Sequence, residues 1–414
     1  MGVSLIFMSG DIPPVHGWMQ SGRPLPPCLP AQADTSRRGL GARRSHGGAS
    51  PPGGRGRVDD GSGALSGRLG IAVIGRNEGE RLRRCLDSVV DRGVLCVYVD
   101  SGSTDGSIEM ARSKGVDVVE LDPDTPFTMG RGRNTAFRRL VELERDLSFV
   151  QFVDGDCEVI EGWLELARRE LEEHEGTGVV CGRRSEREPE RSTYNRLTDM
   201  EWRQQAGEVQ FAGGDVMLRV EAFRDVGGYD EAMIAGEDPE ICVRIREAGW
   251  KIRRLDAAMT HHDAAIFHFG QWWRRAVRGG HAYAEGAYLH RHSVERPWAR
   301  ECRSIWVWGL ALPVAACAAL AWTPGWSLAL LALYPLWAVR IAARRRHEFR
   351  DSWSACCLYG AFCMLSKLPQ MFGQSVFWWN RARGRRAGLM EYKAPGLGAA
   401  HPKDSSRPQG TNSG

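Results

Sequence analysis

Two carboxylates one residue apart, in Asp154-Gly155-Asp156, end the apolar run Phe149 to Val153. Such a pair offers hard oxygen ligands. A divalent cation such as Mg2+ or Mn2+ suits them when substrate phosphates complete its shell. The glycine between them lets the main chain come close to a ligand. A second acidic group, Gly236-Glu237-Asp238-Pro239-Glu240, precedes the apolar positions Ile241, Val243 and Ile245. That spacing places Asp238 at a helix start, where a carboxylate either caps the first turn or serves chemistry. A third acid, Asp100, closes a Val-rich run and opens Asp100-Ser101-Gly102-Ser103-Thr104-Asp105-Gly106. Phe211-Ala212-Gly213-Gly214-Asp215 carries paired glycines, which permit a tight main chain beside a ligand or form an ordinary turn.

The elements around these acids alternate. Leu69 to Ile74 reads as a buried strand, and Leu82, Cys85, Leu86, Val89 and Val90 then recur at helical spacing. Val94 to Val99 predicts a second strand, Ser107 to Lys114 a helix, and Val116 to Leu121 a third strand. Arg133 to Asp146 predicts a helix, Phe149 to Val153 a fourth strand, and Lys251 to Leu255 a later one. Strands alternating with helices imply parallel pairing in a doubly wound α/β sheet. Ligands of such sheets sit beyond the carboxyl ends of the strands, where Asp100, Asp154 and Asp156 fall.

The chain has 414 residues and a formal charge of +4, too small a surplus to predict a nucleic-acid partner. Its 11 cysteines are scattered without a C-x-x-C pair, which predicts reduced, mostly buried thiols. The N-terminus shows no signal-peptide pattern, so the bulk of the chain is expected in the cytoplasm. Residues 1 to 66, dense in Pro, Gly, Arg and Ser, and residues 388 to 414 predict disordered segments. Residues 67 to 295 form the expected catalytic domain, and residues 296 to 387 a membrane-associated helical region. There, Ile305 to Trp322 and Trp326 to Ala343 predict a membrane hairpin around Thr323-Pro324-Gly325. Trp322 and Trp326 flank the turn, and arginines bracket the outer ends, which orients both ends toward the cytoplasm. Residues 354 to 380 contain Lys367, Pro369 and two Gln residues, and a basic cluster follows. This pattern favours a re-entrant or interfacial segment over a third span. Gln271-Trp272-Trp273-Arg274-Arg275, with Arg278 and His281, reads either as a helix lying on lipid or as a mobile gate with arginines for a diphosphate.

Taken in order, these blocks resemble glycosyltransferase family 2, the inverting enzymes of GT-A fold. The blocks are Ile71 to Glu78, ending Arg76-Asn77-Glu78; Val99 to Ser107; Gly132-Arg133-Asn134 leading to Asp154-Gly155-Asp156; and Gly213-Gly214-Asp215 with Gly227-Gly228-Tyr229-Asp230 and Gly236-Glu237-Asp238. The likeness covers roughly residues 69 to 290, and Gly75 departs from the family's usual first loop. The resemblance implies a GT-A, Rossmann-like mixed sheet and a nucleotide-diphosphate sugar donor. It places Asn77, Glu78, Asp100 and Arg133 at the nucleotide, together with Asp154, Gly213, Gly214 and Glu237. It makes Asp156 the main ligand of a divalent cation, Mn2+ or Mg2+, and Asp238 the general base. His261 and His262 follow the predicted strand from Lys251, and either could complete the metal shell. The acceptor is expected to be a saccharide or a lipid-linked group, and the site to be the cytoplasmic face of the inner membrane. Two other readings compete. A nucleotidyltransferase would need a Gly-rich basic loop after the first strand, which Arg76-Asn77-Glu78 does not supply. A catalytically silent membrane scaffold would not need the acids at 100, 154, 156 and 238.

Overall fold

The computed structural model describes residues 69–90 and 93–385. The segments expected to be disordered, 1 to 66 and 388 to 414, lie outside the described residues.

The uncharged run of β1 (Leu69–Gly75) is almost wholly buried because it is paired on both sides. After α1 (Glu80–Asp87), β2 (Leu95–Asp100) lies parallel to β1; after α2 (Ser107–Ser113), β3 (Asp117–Glu120) lies parallel to β2. α3 (Met129–Leu143) then returns the chain to β4 (Phe149–Asp154), parallel to β1 on its other side. Register fixes the site: Gly75 lies opposite Asp100, and Ile74 opposite Asp154. Both acids therefore finish at one sheet edge.

The parallel pairing read from the sequence holds for these four strands, and the sheet then becomes mixed. β5 (Cys157–Val159), α4 (Trp163–Glu173), β6 (Thr177–Glu186), α5 (Thr193–Trp202), β7 (Gly207–Glu208), β8 (Val216–Arg219), α6 (Val220–Asp225), α7 (Glu237–Glu247) and β9 (Lys251–His262) follow. β8 runs antiparallel to both β4 and β6, whereas β6 and β9 are parallel. Among the described residues the order is β3-β2-β1-β4-β8-β6-β9-β5, with β7 beside β9. β9 runs far past the predicted end at Leu255, so His261 and His262 lie in the strand and not after it.

α8 (Phe269–Leu289) is not free to lie on lipid. Trp272 and Arg278 are buried, and Arg275 pairs with Glu201 of α5 at 2.9 Å. Of the basic, aromatic stretch, Arg274 remains exposed. Beyond it come α9 (Ala299–Trp306), α10 (Leu312–Ala318), α11 (Leu333–Phe349), α12 (Trp353–Leu365) and α13 (Lys367–Ala382). Two continuous helical stretches, Ala299–Ala321 and Trp326–Phe349, are long and apolar enough to cross a membrane. Most of their surface is not covered by protein, and Trp322 and Trp326 at the turn are 81% and 79% exposed. Residues 354 to 380 fall in two helices that meet at Ser366, and α13 packs along α8. That contact is intimate. A Cβ on Gly280 would strike the main chain of Gln370, and one on Gly373 would strike the carbonyl of Val277. Every cysteine among the described residues is unbridged, as expected of a reduced chain.

Candidate active site

The first turn of α3 is capped by Thr128, whose hydroxyl accepts from the Arg131 amide at 3.1 Å. One turn on, Arg133 points inward and is 1% exposed. Its Nη2 donates to Asp154 Oδ1 at 2.7 Å, its Nη1 donates to Glu237 Oε1 at 3.0 Å, and Nη1 lies 3.2 Å from Asp238 Oδ1. One guanidinium thus joins the end of β4 to the first turn of α7. A buried guanidinium costs several kcal/mol in lost hydration, on the order of what close carboxylates return. Gly214 completes the cradle, because a Cβ there would overlap the Arg133 guanidinium. The resemblance implies Arg133 at the nucleotide; in the fold it is an internal hub for the acids.

The acids of this hub differ in charge state. At Asp154, burial favours the neutral form, but surrounding positive charge, to which Arg133 and Arg184 contribute, holds the carboxyl well below the usual range. At Asp238 burial prevails over Arg133, and Glu237 adds repulsion, so the carboxyl is pushed up to about 7. Sequence reasoning missed Arg184 on β6 and left Asp215 without a role. Arg184 Nη2 lies 2.8 Å from Asp215 Oδ2 and 3.8 Å from Asp154 Oδ2. Asp215 also accepts from the Asp154 amide at 3.0 Å and from Thr260 Oγ1 at 2.9 Å. A charged residue in the mostly buried strand Thr177–Glu186 was the available signal.

Asp156 lies just past β4, where the Gly155 amide donates to Ile74 O at 2.8 Å and holds the turn against β1. His262 is paired between Cys157 on one side and Glu186 on the other. Its Nε2 lies 3.3 Å from Asp156 Oδ2, and its Nδ1 lies 3.8 Å from Glu186 Oε2. His262 is 1% exposed, and neither ring nitrogen has a hydrogen-bond partner. Buried polar atoms without partners are costly, and a cation would satisfy this one. Asp156, Cys157 and His262 lie close enough together to share a metal ion. Burial pushes the Cys157 thiol up, so it stays protonated and is a poor ligand for a hard ion. The fit is therefore to Asp156 and His262. Adjacent strand residues face opposite sides. His261 is accordingly exposed and bonds Ser185 Oγ through Nδ1 at 2.9 Å, away from Asp156.

The nucleotide loops are tied to each other. Asp100 is fully buried, and its Oδ1 accepts from the amides of Gly102 at 2.8 Å and Ser103 at 2.7 Å. Its Oδ2 accepts from the Tyr98 hydroxyl at 2.7 Å and from the Ser103 hydroxyl. The carboxylate implied at the base or ribose is turned into its own loop. Asn77 adopts a left-handed φ of 53°, which Asn tolerates better than most residues. Its Oδ1 accepts from the Thr104 amide at 2.7 Å, and its own amide donates to Ser103 Oγ at 2.8 Å. Glu78 pairs with Arg81 at 2.8 Å. Asn77 and Asp100 thus shape one rim across two loops.

The model of glycosyl transferase family 2 matches residues 71–227, which carry the β1, β2 and β4 ends just described. A model described as the N-terminal domain of galactosyltransferase matches residues 197–268, which hold Asp215, Asp238 and His262. Residues 71–227 are thus similar to glycosyltransferase family 2. This transferase is 27% identical over 238 residues to glycosyltransferase AglE of Haloferax volcanii, a match spanning 54% of this chain and 75% of that one. It is 28% identical over 236 residues to the pre-mycofactocin glycosyltransferase of Mycobacterium tuberculosis, spanning 51% of this chain and 46% of the relative. It is also 28% identical over 202 residues to the succinoglycan biosynthesis protein ExoA of Rhizobium meliloti, spanning 45% and 58%. Among solved structures, the mannosyltransferase PcManGT from Pyrobaculum calidifontis, in complex with GDP-Man and Mn2+, superposes with a TM-score of 0.51. That match has 16% identity and covers 76% of this chain and 88% of the other, a likeness of fold. The fold of the transferase is GT-A.

Proposed function

We propose that the transferase moves a sugar from a nucleoside diphosphate to an acceptor hydroxyl with inversion at the anomeric carbon, at the cytoplasmic face of a membrane. The observation that carries this reading is the joining of Asp154 and Asp238 through Arg133, with Asp156 two residues beyond the same strand end and His262 of β9 beside it. In this reading the acceptor oxygen bonds to the sugar carbon while the bond to the diphosphate breaks, and its electron pair leaves with the nucleotide. Asp238 takes the hydroxyl proton; its carboxyl near neutrality suits a general base working near pH 7. Arg133 keeps Asp238 and Asp154 in one frame throughout, which is positioning. Asp156 and His262 would hold a divalent cation, which when bound neutralises charge on the departing diphosphate. An imidazole ligand favours Mn2+ over Mg2+ at such a site. The Mn2+ bound in the mannosyltransferase complex supports that choice.

The helices Ala299–Ala321 and Trp326–Phe349, with their exposed apolar faces, support attachment to lipid. A saccharide or lipid-linked acceptor, as in polysaccharide or glycolipid synthesis, fits that location. The test is release of nucleoside diphosphate from a panel of UDP- and GDP-sugars with Mn2+. At least one donor should turn over, and Asp156→Asn should lower that rate at least 100-fold. An Asp156→Asn protein that keeps the unmodified rate would remove the metal assignment.

A further inference from the structure

Next to Arg184 and Asp215, a solvent-open cleft lies between β6, β9 and the chain after α5. Its walls include Arg184, Trp202, Gln204, Gly213, Asp215 and Arg254. The charges of Arg184 and Asp215 cancel, since they pair at 2.8 Å. Arg254 has no such partner: its Nη2 donates to the Phe211 carbonyl at 3.2 Å, and among the described residues it pairs with no carboxylate. The cleft therefore carries a net positive charge. Trp202 is 8% exposed, and its indole N–H has no hydrogen-bond partner. A buried donor without an acceptor is a standing cost, removed when an acceptor oxygen arrives. The Trp202 ring also packs edge-on against His262 at 4.6 Å, so this wall adjoins the metal-ligating histidine.

We infer that this cleft binds an oxyanion of the acceptor, a phosphoryl group held by the Arg254 guanidinium and the Trp202 indole N–H. The inference rests on the transferase reading for the word acceptor, but not for the binding itself. A guanidinium and an N–H donor lining one cleft suit a tetrahedral oxyanion better than a neutral hydroxyl. The phosphate could be that of a soluble phosphomonoester or of a lipid headgroup, and both present the same oxygens.

The test uses the full chain in detergent, saturated with Mn2+ and a turned-over donor's nucleoside diphosphate, and reads thermal midpoint. The probes are glycerol 3-phosphate, phosphatidic acid in micelles, and glycerol as the uncharged control. At least one phosphate probe should raise the midpoint saturably, and glycerol should not. Arg254→Gln should weaken that binding at least tenfold, and Trp202→Phe about three- to tenfold, while Arg254→Gln leaves the Mn2+-dependent shift by the nucleotide unchanged. Which phosphate arm responds identifies the source of the group. No saturable shift with either probe, or one that persists in Arg254→Gln, would overturn the inference. If instead no donor nucleotide shifts the unmodified chain with Mn2+, the transferase reading fails, and the phosphate arms, run without nucleotide, still decide the cleft.

Discussion

Asp238→Asn should make the ligand-free chain more stable and nearly inactive. Burial lifts the Asp238 carboxyl from an ordinary 3.8 to about 7, against the pull of Arg133 3.2 Å away. The folded state therefore holds this proton more tightly than the unfolded chain does. Asp238 leaves stability intact below about pH 4 and erodes it as pH rises through 7. At about 1.4 kcal/mol for each tenfold change in proton affinity, the displacement amounts to about 4 kcal/mol above pH 8. Asparagine has the same shape and no charge to bury, so it escapes this cost. The assay is thermal midpoint of both proteins from pH 4 to pH 9 without donor. The two curves should coincide near pH 4 and diverge to a plateau above pH 8, the variant higher by on the order of 10 °C. Turnover should fall by roughly 10²–10⁴, the share of a general base. A constant gap across the pH range would refute the electrostatic account, and retained turnover would refute the assignment of the base.

His262→Ala should weaken the Mn2+ dependence of turnover by roughly 10–100-fold, whereas His261→Ala should leave it unchanged; a Mn2+ titration of each separates the two. Gly214→Ala forces its Cβ into the Arg133 guanidinium, which three carboxylates hold in place. It should cost about 1–3 kcal/mol by denaturant titration and lower turnover with it.

The strand ends were legible because β2 and β4 are mostly apolar up to their last residue, so an acid closing them stands out. Asp238 was legible because an apolar helix pattern begins directly after Glu237-Asp238. The choice between His261 and His262 was not. Strand phase decides which of them faces Asp156, and Asp256 with the two alanines after it hid how far β9 extends. Arg184 and Asp215 meet only because β8 inserts antiparallel between β4 and β6, a pairing that no local pattern reports. Arg133 read as a ligand contact because a charge on a helix face is normally exposed; its burial depends on acids from two distant segments. The Trp/Arg pattern of α8 suits lipid or protein equally, and the partner helix α13 settles which.

The glycines at 280 and 373 allow two main chains to touch, one from the catalytic domain and one from the last helix. Ending the chain before Ala299 to obtain a water-soluble fragment would therefore cut through a packed seam and not through a tether. It would strip α8 of its cover and bring Gly280 and His281 to the surface. It would also withdraw Phe362 from the edge of the Trp272 ring, in the cluster that includes Trp202. Solubility is better sought by replacing apolar residues on the outward faces of Ala299–Ala321 and Trp326–Phe349 while keeping α12 and α13 in place.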